Sequence, residues 1–188
     1  MTACTIRAIR SADWKEVRAL RLHALQDEAA ALAFLDSHAD AAARPDSYWI
    51  ERTVRSSEDA GVAAGARQFV AVAADGEWVG TTTVLIERKG DTDYFDGVVE
   101  QDGGHLVGVY IKPEYRAAGL ITRLFASCTA WLTGLDLSFV RLYVHEDNHR
   151  AQRAYEKCGF IRTGVVQSGP HGNEVEMATS LPTPPVAH

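Results

Sequence analysis

The chain has 188 residues, of which 46% are hydrophobic and 23% charged, and its formal net charge is −6. That length predicts one domain, residues 1–180, burying roughly 70% of the surface its unfolded form exposes, followed by a flexible, proline-containing tail over 181–188. The acidic balance argues against general nucleic-acid binding, no apolar run reaches the ~18 residues of a membrane span, and no secretory signal pattern opens the chain, so a cytoplasmic protein with neither partner is expected.

Thr5 to Arg10 alternates as a first strand, and Ser11 is the expected N-cap of a helix from about Asp13 to Asp27 carrying Trp14, Val17, Leu20 and Leu25. An alanine-rich, partly helical connection, Ala29 to Ala43, leads to a second helix from Pro45 to Arg55. Gln68 to Ala73 and Trp78 to Glu87 read as strands joined by an Asp75-Gly76 hairpin turn. His105 to Ile111 is the next strand, with Gly108 a candidate bulge. Before it, Lys89 to Gly104 holds Asp91, Asp93, Asp96, Glu100 and Asp102 around Tyr94 and Phe95, which is either a solvated hairpin or an acidic lip for a cationic amine. Three cysteines, Cys4, Cys128 and Cys158, show no Cys-x-x-Cys pairing and read as reduced thiols.

From Val109 to Ile121 the chain passes from β-formers through Pro113 into a helix whose stripe is Leu120, Leu124, Phe125, Cys128, Trp131 and Leu132, with Gly134 placed to end it. The turn Arg116-Ala117-Ala118-Gly119-Leu120-Ile121 aims free backbone N–H groups and the positive end of a helix dipole at whatever lies in front, a geometry suited to a phosphate. Downstream, Phe139 to Val144 reads as a strand, Asn148 to Cys158 as a helix closed by Gly159 with Phe160 packing back, and Gly164–Val166 and Glu174–Ala178 as a closing strand pair around a Gly169–Asn173 loop.

Arg116, Gly119 and Leu120 resemble the acyl-CoA-binding signature of the GNAT family of N-acetyltransferases, arginine or glutamine, two free positions, glycine, one free position, then glycine or alanine; Ile121 departs from it. About thirty residues later, Asn148-x-x-Ala151-x-x-x-Tyr155 and Cys158-Gly159-Phe160 match the family's second segment in the right order. The resemblance runs from Thr5 to Thr179 and implies a mixed α/β fold with a central, mostly antiparallel twisted sheet flanked by helices.

It also implies acetyl-CoA as cosubstrate, without metal. Backbone groups of Val109, Tyr110 and Ile111 would align the pantetheine arm, and N–H groups from Arg116 through Ala117, Ala118, Gly119, Leu120 and Ile121, with the Thr122 hydroxyl, would cradle the diphosphate. Tyr155 matches the family's general acid; as a phenol of pKa about 10 it stays protonated at pH 7, while the alternative is a core tyrosine beside Ala151 and Cys158. Asn148 caps its helix, contacts the cofactor arm, or does both. The amine's proton is expected to pass to His105, with His145, Glu146 or water alone as rivals.

His145-Glu146-Asp147-Asn148-His149 is a literal zinc-protease string, but the strand expected to end at Val144 would make it straddle a strand-to-helix corner. The expected activity is therefore direct acetyl transfer to a primary amine of a small molecule. A peptide N-terminus, a protein lysine or a non-catalytic acyl-CoA-binding role are the alternatives, and a homodimer, common among relatives, stays open. Acceptor choice would rest with Ala24–Arg55, Lys89–Gly104 and Ser168–Asn173.

Overall fold

A computed structural model describes residues 4–181. Its elements in chain order are β1 (Cys4–Ala8), α1 (Trp14–Ala24), α2 (His38–Ala43), α3 (Asp46–Ser56), β2 (Ala66–Ala73), β3 (Trp78–Glu87), β4 (Gly103–Ile111), α4 (Leu120–Thr133), β5 (Phe139–His145), α5 (His149–Glu156), β6 (Ile161–Gly169) and β7 (Gly172–Ser180). The strands form one sheet in the order β1-β2-β3-β4-β5-β7-β6. Neighbours run antiparallel except β4 and β5, which are parallel because α4 crosses over between them.

The parallel pair is short. Only Gly104–Leu106 pair with Val140–Leu142, although β4 runs on to Ile111 and β5 to His145. Gly108, at φ 62°, forms the expected bulge, marked by a shift in register opposite Thr81 to Thr83. Its effect is visible in the core. Leu106 and Tyr110 are four residues apart and would share a face in a regular strand, yet Leu106 packs with Phe125, Cys128 and Leu132 of α4, whereas Tyr110 packs with Val17, Leu20 and Trp49 of α1 and α3. Helix α4 thus covers one face and α1 with α3 the other, while Leu120 and Leu124 meet Ala71, Val79 and Ile111 in a third cluster.

Several boundaries differ from expectation for local reasons. Ser11 does not cap α1: it lies in a 3-10 turn, Ser11–Asp13, where its N–H donates to Asp59 at 2.7 Å, and the Asp13 carboxylate instead accepts the Arg10 N–H at 2.8 Å. Gly134 ends α4 as expected, as its C-cap, but with a right-handed φ of −66°. The left-handed residue is Asp136, at φ 58°, and Leu137 N–H to Leu132 O and Asp136 N–H to Thr133 O, both 3.0 Å, close the helix there. The ending at Gly159 is as expected, with Phe160 N–H to Tyr155 O at 3.1 Å and Gly159 N–H to Glu156 O at 3.0 Å.

Strands β6 and β7 are longer than the sequence indicated, because β6 is an edge strand whose Ile161, Val165 and Val166 are exposed, so no inward alternation betrays it. Leu181, expected to begin the tail, is buried in the α4 cluster, and its N–H donates to Ser138 O at 2.7 Å. The rest of that expected tail, 182–188, lies outside the described residues. Among the described residues no helix is long and apolar enough to cross a membrane.

Candidate active site

Where β4 and β5 separate, a cavity of about 480 Å³ opens between the β4 edge, the turn into α4, the α5 helix and the loop after α1. Beyond Leu106 no described strand pairs with β4 on the side facing β5, so the edge that carries Val109, Tyr110 and Ile111 into the cavity is available to an extended ligand. Burial pushes the Tyr110 phenol up to about 12, with the charge of Asp27 acting in the same direction.

The turn at the cavity mouth is built by backbone conformation. After a 3-10 turn at Pro113–Tyr115, Ala117 (φ 61°) and Gly119 (φ 73°) adopt left-handed conformations, and α4 begins at Leu120 with no side chain capping it. Its first N–H groups therefore lack intrahelical acceptors, and the residues that carry them, Leu120, Ile121 and Thr122, border the cavity. Ala117, Gly119, Leu120, Ile121 and Thr122 line the cavity, whereas Ala118 does not. The branched side chain of Ile121 packs partly into two core clusters, and the Thr122 hydroxyl lies 3.5 Å from Cys158 Sγ.

Arg116 also borders the cavity, but its guanidinium is engaged elsewhere. Nε donates to Ile111 O at 3.0 Å and the terminal nitrogen pairs with Asp27. Although burial acts to raise the Asp27 carboxyl, the Ala29 N–H and Arg116 outweigh it and hold it below the usual range.

Tyr155 projects from α5 into the same cavity, and its ring stacks on Phe125. Among the described residues no protein group hydrogen-bonds its hydroxyl. Burial raises the phenol further, as it does for the enclosed Cys128 thiol. Asn148 caps α5 through Oδ1, which accepts the Ala151 N–H at 3.2 Å, and it too lines the cavity.

His105 is not among the cavity residues. It is 6% exposed on β4, with Nδ1 3.1 Å from Glu87 Oε1 and its ring edge-on to Tyr143. The centre of that cluster is Arg141, which donates to Glu87 at 2.7 and 3.0 Å, Glu176 at 2.8 Å and Asp93 at 3.2 Å. Burial acts to raise the Glu87 carboxyl, but hydrogen bonds and charge from His105 and Arg141 prevail and hold it at about 2. The acidic hairpin is thereby partly spent: Asp93 belongs to this cluster, Asp91 accepts the Arg88 N–H, and Asp102 takes Arg88 and the Lys89 N–H.

His145 is fixed in one tautomer, Nδ1 accepting the Asp147 N–H at 3.1 Å and Nε2–H donating to His171 O at 3.0 Å. It ends β5, while His149 begins α5, so the two histidines of the protease-like string do not share a helix. Among the described residues no three His, Cys, Asp or Glu side chains converge as a metal site.

Two parts of the cavity were not anticipated. Arg150 and Arg153 of α5 and Lys157 just past its end line it; their three- and four-residue spacing is readable in the sequence as a basic stripe suited to phosphates. Asp27 with Ala29, Ala30, Ala33 and Phe34 forms the opposite wall, and no local pattern marks a residue whose partner, Arg116, is 89 positions away.

A seven-stranded sheet parted at its parallel β4–β5 pair, with the uncapped start of α4 beside the gap, is the architecture of the GNAT fold. The model of the Acetyltransferase (GNAT) family matches residues 22–160, and the chain belongs to that family. It is 30% identical over 95 residues to the aminoglycoside N(6')-acetyltransferase type 1 of Stenotrophomonas maltophilia; the match spans 50% of this chain and 60% of that protein. A GNAT-family acetyltransferase from Streptococcus pneumoniae superposes with a TM-score of 0.72 at 18% identity, covering 96% of this chain and 100% of the other. A phosphinothricin acetyltransferase from Sinorhizobium meliloti, solved in complex with AcCoA, gives 0.70 at 16% identity over 100% and 93%. At these identities the two structures define the fold.

Proposed function

We propose that the chain is an acetyl-CoA-dependent N-acetyltransferase acting on a primary amine of a small molecule. The observation that carries this reading is the convergence of three features on one cavity: the open β4 edge, the uncapped start of α4 and the Tyr155 hydroxyl. The pantetheine arm lies along Val109–Ile111, the diphosphate meets the N–H groups from Ala117 to Thr122, and Arg150, Arg153 and Lys157 add charge for the phosphates. The amine lone pair attacks the thioester carbonyl, the C–S bond breaks, and the departing thiolate takes the Tyr155 proton. The same burial that raises this phenol also penalises the thiolate beside it, which keeps the transfer feasible. The amine's own proton leaves to water, and solvent returns a proton to Tyr155.

Support for a small acceptor comes from the aminoglycoside-acetylating relative. A calorimetric titration with acetyl-CoA, followed by an amine panel read through thiol release, tests the proposal. Micromolar binding and turnover of a small amine are expected; no binding up to millimolar acetyl-CoA would overturn it.

A further inference from the structure

We infer that Arg116 and Asp27 form a coupling link through which acetyl-CoA binding sets the acceptor wall, so that Asp27 is a positioning residue for the amine. The inference rests on the acetyl-CoA reading of the cavity. Within the turn into α4, the guanidinium of Arg116 turns toward Ile111 O and the Asp27 carboxylate. Asp27 is well buried, with 6% of its side chain exposed, and its other oxygen accepts the Ala29 N–H at 3.0 Å. That carboxylate therefore holds both the turn that would meet the diphosphate and the first residue of the loop whose Ala29, Ala30, Ala33 and Phe34 form the opposite wall.

The loop's backbone hydrogen bonds are all local: Ala30 N–H to Asp27 O and Phe34 N–H to Ala30 O at 2.9 Å, and Leu32 N–H to Ala29 O and Ala33 N–H to Ala30 O at 3.0 Å. It contains one 3-10 turn, Ala30–Leu32, and Phe34 is its buried anchor, lying 6.4 Å from the Tyr110 ring and beneath the Arg21 guanidinium at 4.3 Å. A segment whose backbone bonds are all internal is tied to the rest of the fold mainly through Phe34 and the Asp27 carboxylate, so it can open as a unit, and a ligand that stiffens the turn lowers its freedom through the shared ion pair. Linkage then requires the reciprocal effect: whatever factor acetyl-CoA adds to acceptor affinity, the acceptor returns to acetyl-CoA affinity.

Hydrogen exchange and calorimetry on the whole chain test this together. In the wild type, saturating CoA should slow exchange of the 29–34 amides at least about tenfold. In Asp27→Asn, CoA should bind within about threefold of the wild-type affinity while that protection disappears and acceptor KM rises about tenfold, with kcat changed far less. Asp27→Ser, which keeps a short acceptor for the Ala29 N–H, should behave likewise if the asparagine variant is unstable. Arg116→Gln combined with Asp27→Asn should add little to either single change in acceptor KM. Protection of 29–34 that persists without the carboxylate, or a loss of CoA affinity with acceptor KM unchanged, would overturn the link. A wild-type protein that binds no CoA would instead overturn the acetyl-CoA reading, and this inference with it.

Discussion

The ring of Tyr155 stacks on that of Phe125, centroids 5.6 Å apart and planes 24° from parallel, so the side chain's position is set by ring packing and not by its hydroxyl. Tyr155→Phe should therefore keep the fold, shifting stability by less than about 0.5 kcal/mol, and should keep acetyl-CoA affinity. Transfer should fall at least about tenfold in kcat. Steady-state kinetics beside thermal melting separate the two; unchanged kcat would remove Tyr155 from the proton path.

The left-handed turn allows a paired test. A Cβ at Gly119 meets nothing within 4 Å, so Gly119→Ala should cost only backbone strain, about 1–2 kcal/mol. Ala117→Gly, at φ 61°, relieves strain of the same kind and should leave stability level or slightly higher. Melting should fall by a few degrees for Gly119→Ala and hold or rise slightly for Ala117→Gly; equal losses would mean that contacts, not φ, govern the turn.

Ile121 stands where the family pattern has glycine or alanine, and its side chain is shared between core and cavity. Because the diphosphate is expected to meet backbone, Ile121→Ala should cost about 2 kcal/mol of stability while changing acetyl-CoA affinity less than about threefold. Tenfold tighter binding in the variant would show that the branched side chain had been obstructing the ligand.

Acid should loosen the cluster around Arg141. With its carboxyl held at about 2 in the folded chain and near 4.5 when unfolded, Glu87 contributes stability that is complete above about pH 4.5 and lost as pH falls through 2. Chemical denaturation between pH 7 and 2 should show this decline, and Glu87→Gln should flatten it. Arg141→Met, which leaves three carboxylates facing one another without their cation, should cost about 3–5 kcal/mol at pH 7. A variant as stable as the wild type would show that the hairpin relaxes to rehydrate those carboxylates.

The turn into α4 and the Asn148–Phe160 segment were legible because their structure is local: Gly119, Asn148 and Gly159 act on neighbours within one helical turn. The Asp75-Gly76 hairpin and the Gly108 bulge were legible for the same reason. The end of α4 at Gly134 was legible as well, but not the left-handed residue that follows it, Asp136. Edge strand β6 carried no alternation to read, and the acidic run of the hairpin read as free charge until Arg141, far away in sequence, engaged Asp93.

The sequence by itself determined the order of elements and the left-handed turn into α4, since these follow from φ preferences, caps and periodicities that act over a few residues, and it carried the family through the resemblance of Arg116–Leu120 and Asn148–Phe160 to the GNAT motifs. Only the tertiary structure decided which side chains share a cavity. It drew Asp27 to Arg116 and set Tyr155 beside the parted strands, while it set His105 in a charged cluster apart from that cavity, because the Gly108 bulge and the β4–β5 separation assign residues to faces through contacts between distant segments.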